Sequence, residues 1–303
     1  MIVVTGAAGF IGSALLGELQ RMGYGDLIAV DDFSVESKRS NYQNKKITQF
    51  VERNGFFDWL KDNAKRIQFI FHIGARTRTD EFDEQVLEDL NVAYSKKMWL
   101  SCVEYNIPLI YASSAATYGD GTQGFSDEPS LLNALKPLNP YGNSKHRFDL
   151  WVTSQKKTPP FWAGFKFFNV FGPNEYHKGR MASVILHAYN QILEHKQLKL
   201  FKSHRSDYAH GEQKRDFVYV KDIVSANIYA FKNYESLSGN WYEVGSGESR
   251  KFEDVLDILD IDYSYLEENQ IPKGYQFYTC SQKTKWMKGW KPKYDLEKGL
   301  KEY

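Results

Sequence analysis

Residues 2–12 constrain this chain more than any other stretch. The run Ile2-Val3-Val4-Thr5 leads straight into Gly6-Ala7-Ala8-Gly9-Phe10-Ile11-Gly12, and Leu15, Leu16 and Leu19 follow at helical spacing. A strand, a glycine turn and a helix in that order make the βα unit that cradles a pyrophosphate. Gly6 permits the tight turn, Gly9 lets the backbone approach the phosphates, and Gly12 lets the helix pack on the strand. The helix N-terminus then offers free N–H groups and a positive dipole end to the anion. A second apolar run, Leu27–Val30, ends in Asp31-Asp32. An acid about 20 residues beyond the loop suits the ribose hydroxyls of an adenosine.

Further strands follow in βα order. Phe69–Ile73 precedes Gly74-Ala75, and Leu109–Ala112 precedes Ser113-Ser114. Small or polar residues at the C-terminal ends of strands are where open α/β sheets bind ligands. The spacing predicts an α/β protein built on a Rossmann-type doubly wound parallel sheet. Asn240–Gly245 reads as a late strand of the same sheet. The cofactor domain, 1–166, is therefore expected to recruit roughly 214–246 as well. Segment 38–46 reads as a basic loop and 202–216 as a long polar loop, a length that is usually functional in a compact domain.

Composition narrows the partners. With 303 residues, 42% of them hydrophobic, the chain can bury a large core. A net charge of +1 provides no global field for nucleic acid or an acidic membrane. The two cysteines, Cys102 and Cys280, form no CxxC, so neither a disulfide framework nor a metal site is expected. No apolar stretch reaches 18 residues and no signal-like region precedes the first strand. A cytoplasmic protein without a membrane span is the expectation.

Chemistry concentrates in Pro140-Tyr141-Gly142-Asn143-Ser144-Lys145. Tyr141 and Lys145 stand one helical turn apart on one face. A phenol titrates near pH ~10, and a neighbouring lysine favours the phenolate, which makes Tyr141 usable as a general acid and base. Ser114, at a strand end, can hydrogen-bond a substrate oxygen. Tyr118 is either a second hydroxyl of this site or a packed ring, and His72 reads as a packed strand histidine. Arg215 can hold a pyrophosphate in bidentate fashion, or form an ion pair with Asp216 or Asp222.

Together these residues resemble the extended short-chain dehydrogenase/reductase family, the nucleotide-sugar epimerases and dehydratases. The resemblance runs through GAAGFIG at 6–12, Asp31, GA at 74–75, SSAATYG at 113–119, YGNSK at 141–145 and FNVFGP at 168–173. The branch acting on ADP-heptose matches more closely, through YASSAATYG at 111–119, FNVFGPNEYHKGRMAS at 168–183 and KRDFVYVKD at 214–222. The resemblance implies a smaller α/β C-terminal domain, from 167–213 and 247–303, that would carry an ADP-sugar. The activity it implies is epimerisation at C6″ through transient oxidation to a 6″-ketone, in the synthesis of lipopolysaccharide core heptose. By the same resemblance, Tyr141 and Lys178 would be two acid/base groups serving opposite faces of the ketone, with Ser114 and Lys145 assisting. Besides the glycines, Phe10, Ile11, Asp31, Asp32, Lys38, Arg53, Gly74, Ala75, Asn91, Lys145, Val170 and Lys178 would contact the cofactor. Ser114, Asn169, Arg180, His187, Phe201, Lys202, Ser203, His204, Arg215 and Tyr275 would line the substrate site, and the protein would be a homo-oligomer.

Asp31-Asp32 repel a 2′-phosphate and argue for NAD, whereas Lys38, Arg39 and Arg53 attract one. The resemblance tips the expectation to NADP. Some positions depart from the branch: Lys166 where an arginine is usual, Arg76 and Arg78 after Gly74-Ala75, Arg180 where related enzymes have serine, and a longer 202–213 loop. Most of these are expected near the substrate. The rivals are a UDP-hexose 4-epimerase, a 4,6-dehydratase and a non-catalytic dinucleotide-binding protein. Ala115-Ala116 after Ser114 argues against the dehydratase, which wants an acid pair there. The intact Ser114, Tyr141 and Lys145 argue against the binding protein.

Overall fold

The computed structural model describes residues 1–125, 129–195, 198–203, 206, 208–237, 239–266 and 275–303. Its centre is a seven-stranded sheet. The first six strands are β1 Ile2–Thr5, β2 Leu27–Asp31, β3 Gln49–Glu52, β4 Phe69–His72, β5 Leu109–Ser114 and β6 Trp162–Phe167. Two- to four-residue strands follow: β7 Asn169–Phe171, β8 Leu198–Phe201, β9 Lys214–Arg215 and β10 Phe217–Tyr219. The seventh strand of the sheet is β11 Asn240–Val244, and β12 Arg250–Lys251 and β13 Tyr263–Leu266 close the series.

The sheet order is β11-β6-β5-β4-β1-β2-β3, every pair parallel. Strand β1 is buried along its whole length and β2 likewise, as a sheet covered on both faces requires. The order reverses direction at the β4–β1 boundary, the switch point where such sheets bind ligands. One core cluster encloses this sheet, and a second gathers Phe171, Ile185, Leu198, Phe217, Phe252 and Leu296. Around the second lie the pairs β10·β7, β12·β9 and β13·β8. No helix among the described residues is long and apolar enough to cross a membrane. No metal-binding cluster of His, Cys, Asp or Glu occurs among them either.

Candidate active site

Two clefts open at the C-terminal edge of the sheet. The first lies over β1, where Gly6 takes φ +68°, a left-handed conformation that favours glycine. A Cβ on Gly6 would sit 2.6 Å from Gly74 Cα, and one on Gly12 only 2.1 Å from the Gly6 carbonyl oxygen. The helix Phe10–Arg21 therefore begins against the strand with its free N–H groups facing the cleft. Gly9, Phe10, Ile11, Gly74 and Ala75 line this cleft with Asp31, Lys38 and Arg53. Asp31 is buried; its carboxylate accepts Ala8 N at 2.9 Å, Asp32 N at 2.8 Å and the Lys38 ammonium at 2.8 Å. Asp32 turns to Ser34 and stands 3.6 Å from Arg53. Ser34's hydrogen bond is the main reason its carboxyl titrates below the usual range. Arg53 Nε is buried without a protein partner. A glycine cradle that any Cβ would fill, beside an unpartnered guanidinium nitrogen, fits a dinucleotide.

Ser114, Tyr141 and Lys145 meet in the second cleft. The helix Pro140–Thr153 is capped by Asn139, whose side chain accepts from Gly142 N. A Cβ on Gly142 would come within 2.8 Å of the Ala116 carbonyl oxygen. That close approach brings the Tyr141 phenol into a hydrogen bond with Ser114. The structure corrects the expected effect of Lys145 on the phenol. Burial raises the phenol above its ordinary value, with Asp149 adding to the rise and Ser114 opposing it. Lys145 is itself buried; its ammonium donates to the Ala112 carbonyl at 2.8 Å, and desolvation brings it down to about 8, against the field of Asp149.

The two clefts share Phe10, Ile11, Ile73, Ala75, Thr77 and Lys178. Lys178 thus stands at their junction, its ammonium 5.5 Å from the centre of the Phe10 ring. Burial lowers its pKa and Glu175 opposes that shift. Glu175, fully buried, organises this turn by accepting Gly172 N, the Ser183 hydroxyl and the Tyr303 hydroxyl. Asn41 ties the turn to the glycine loop, reaching the carbonyls of Ala8 at 3.0 Å and Asn174 at 3.1 Å and the His177 ring at 3.2 Å. Asn41 was missed from the sequence, where nothing local distinguishes it from loop polar residues, and Glu175, though inside the 168–183 segment, was given no role there.

At the far end of the second cleft, Arg215 is 5% exposed. Its guanidinium lies 4.9 Å from the Tyr275 ring and 5.5 Å from the Phe252 ring, and donates to the carbonyls of Lys214 and Gln276. Neither proposed carboxylate partner reaches it. Asp216 accepts from Ser246, Gly247 and Ser281, while Asp222 accepts Lys293 N and Tyr294 N. Asn169, Val170 and Arg180 also line this cleft.

Several expected site residues stand off the cleft walls. Asn91 is buried in the π-helical turn Glu88–Ala93, its amide spent on Arg76 N, Arg76 O and Ser144. His187 hydrogen-bonds the Arg180 carbonyl at 3.2 Å. Phe201 packs on Tyr275 with ring centres 5.8 Å apart. Ser203 N donates to His210, Lys202 is half-buried, and His204 lies outside the described residues. Tyr118 is a packed ring whose hydroxyl donates to Glu243. His72 is held between Thr5 and Ser95, its pKa pushed down to about 3 by burial. Lys166, one of the departures from the branch, is fully buried and paired with Asp149 at 2.6 Å. Arg76 pairs with Glu81 at the rim and Arg78 with Asp80, whereas Arg180 does face the substrate cleft.

Comparison with known proteins agrees with this geometry. A protein 42% identical, across 100% of this chain and 96% of its own length, is the ADP-L-glycero-D-manno-heptose-6-epimerase of Fusobacterium nucleatum subsp. nucleatum. That of Nitratidesulfovibrio vulgaris is also 42% identical, over 92% of this chain and 88% of its own. The crystal structure of Helicobacter pylori ADP-L-glycero-D-manno-heptose-6-epimerase superposes with TM-score 0.80 at 27% identity, covering 100% of this chain and 94% of that one. Residues 2–245 match the profile of the NAD dependent epimerase/dehydratase family, and the chain belongs to that family.

Proposed function

We propose that this protein interconverts ADP-D-glycero-D-manno-heptose and ADP-L-glycero-D-manno-heptose at C6″, supplying lipopolysaccharide core heptose. The full-length 42% identity to epimerases of that name supports the sugar. The geometric observation that carries the reaction is the meeting of Tyr141, Ser114 and Lys178 in one cleft whose wall is shared with the dinucleotide cleft. An unactivated carbinol carbon has no easy carbanion route, so it is oxidised and reduced again. A bound nicotinamide supplies that chemistry by accepting and returning a hydride. The chain's own residues do the rest. Tyr141, steadied by Ser114, takes or returns the hydroxyl proton at one face, and Lys178 does so at the other. A lysine with a lowered pKa exchanges protons more readily near neutrality. Arg215 binds the diphosphate; a buried guanidinium without a carboxylate favours an anion.

The nicotinamide cofactor belongs with the family, and we infer that it is NADP. Lys38 already neutralises Asp31, and Arg53 has a nitrogen to spare beside it. Denaturing the purified protein and identifying the released dinucleotide tests this; NAD alone would refute it. The reading carries with it a homo-oligomer and a cytoplasmic location, tested by light scattering and cell fractionation. It also carries the division into a cofactor part, 1–166 with 214–246, and a substrate part, 167–213 with 247–303; the two core clusters follow this division for most of their residues, while among others Met287 and Trp290 join the sheet core and Phe217, Tyr219 and Val220 the second. Following C6″ by NMR after adding ADP-D-glycero-D-manno-heptose tests the activity. No interconversion, with UDP-glucose turned over instead, would sink the assignment. The double variant Tyr141→Phe/Lys178→Met is expected to lose turnover while keeping its dinucleotide.

A further inference from the structure

Behind the catalytic group lies a buried ionic cluster that the epimerisation chemistry does not use. Tyr141, Lys145 and Asp149 are spaced four residues apart on the helix Pro140–Thr153, so Asp149 continues their stripe. Asp149 and Lys166 are both fully inaccessible and stand 2.6 Å apart. Asp149 also accepts the hydroxyls of Ser113 at 2.6 Å and Tyr111 at 3.0 Å, and the Trp241 ring N–H at 3.2 Å. Lys166 donates onward to the Thr117 hydroxyl at 2.8 Å, and Thr117 donates to the Ser114 carbonyl at 2.8 Å.

The sheet is built to admit this cluster. Register pairs Ser113 with Lys166 and Lys166 with Glu243, so strand alternation turns all three to one face. Tyr111 and Trp241 share that face, and Gly164 between them has no room for a Cβ, which would lie 2.6 Å from the Tyr111 hydroxyl. Ser114 is consequently gripped from both sides. Its predecessor is tied to Asp149, and its carbonyl is tied through Thr117 to Lys166.

We propose that Lys166 and Asp149 are a positioning pair for Ser114, Tyr141 and Lys145, and that their charge balance sets how readily Tyr141 and Lys145 exchange protons. The ionisable groups of this cluster are His146 and Asp149 on the helix of Lys145, His72 on β4, Lys166 on β6 beside Asp149, and Glu243, its register partner on β11. His72 is neutral near pH 7, so the balance rests on the others. Asp149 favours the protonated form of both Lys145 and Tyr141; a cation 2.6 Å from Asp149, Lys166 is placed to offset that field. The pair rests on the acid/base role proposed for Tyr141, which Lys145 assists, and its first test needs no turnover.

The test is ¹⁵N NMR of the lysine side chains in the dinucleotide-loaded protein, with Lys145 assigned through its loss in Lys145→Arg. Asp149→Asn removes the carboxylate that favours protonated Lys145 and is expected to lower the Lys145 midpoint by about one pH unit. Lys166→Met removes the cation paired with Asp149, which keeps its three other donors, and is expected to raise it by about as much. Lys166→Arg and the double variant Asp149→Asn/Lys166→Met are expected near the original midpoint. If Lys166→Met alone does not fold, the sign is read from the double variant, whose midpoint must lie above that of Asp149→Asn. The pH profile of kcat for C6″ epimerisation is expected to move with the midpoint while KM holds. Single variants that lose melting temperature but leave the midpoint in place, or that shift it in the same direction, overturn the proposal. A shifting midpoint in a protein that epimerises no ADP-heptose upholds the pair and refutes the assigned substrate instead.

Discussion

Replacing Arg215 by methionine separates binding from folding. Methionine keeps an unbranched apolar stem between Tyr275 and Phe252 but removes the charge and all five donors. Two opposing effects act on the empty fold. Removing a desolvated cation relieves the burial that lowers the arginine's pKa. Removing its N–H groups takes one donor from the Lys214 carbonyl, which keeps Thr279 N, and one from the Gln276 carbonyl, a loss of about 1–3 kcal/mol for a group left unsatisfied. These largely offset, so the denaturation midpoint is expected to shift by no more than ~1 kcal/mol equivalent. Binding has no such offset. A charge-assisted hydrogen bond contributes about 1.5–3 kcal/mol, and losing a bidentate pair in a partly open cleft is expected to cost about 3 kcal/mol. At 1.4 kcal/mol per decade, kcat/KM for the ADP-heptose falls by roughly 150-fold. The assay is steady-state epimerisation with ADP as competitor, since ADP carries the same diphosphate. The loss should appear in KM and in the ADP inhibition constant, with kcat nearly intact. A variant that binds ADP as tightly as the original, or that loses kcat alone, would show that Arg215 does not hold the diphosphate.

Gly12→Ala drives a Cβ to 2.1 Å from the Gly6 carbonyl oxygen; we expect about 1–3 kcal/mol of lost stability and a protein that purifies without dinucleotide, read from its absorbance. Asn41→Ala leaves the Ala8 and Asn174 carbonyls without that donor, lowering stability by about 1–3 kcal/mol and slowing turnover by loosening the Lys178 turn. Folding depends on pH through Lys145, whose pKa falls from 10.5 unfolded to about 8 folded. Between those values the unfolded chain binds the extra proton, so stability rises with pH there. Chemical denaturation at pH 8 and pH 10 should show that rise in the original protein and lose it in Lys145→Met. An equal rise in both would rule Lys145 out as its source.

The parts legible in the sequence are those where backbone geometry dictates residue type. The turn at Gly6–Gly12 admits almost nothing but glycine at its close contacts, so β1 and its helix could be read from spacing alone. Short strands were not legible. β3 is exposed on three of its four positions, and β9 and β12 are two residues each, too short for any periodicity. Lys166 stood out in the sequence only as a lysine where an arginine is usual. Its partner lies 17 residues away on a helix, a pairing that only the packed sheet reveals. Arg215 and Asp216 were readable in principle, since alternation along an extended chain sends neighbours to opposite sides. Which side faced the cleft had to come from the fold.

The last strand of the central sheet has a consequence for how the protein is made. β11 closes one edge from residues 240–244, and the core around the sheet also takes in Val218, Ile223, Met287 and Trp290. A ribosome that has released the first 200 residues has therefore released an incomplete layer. The outer edge of β6 remains unpaired and part of the apolar face uncovered until nearly the whole chain has emerged. Folding of the cofactor half is thus expected to finish after synthesis rather than during it, and a nascent chain stalled before residue 240 should engage chaperones.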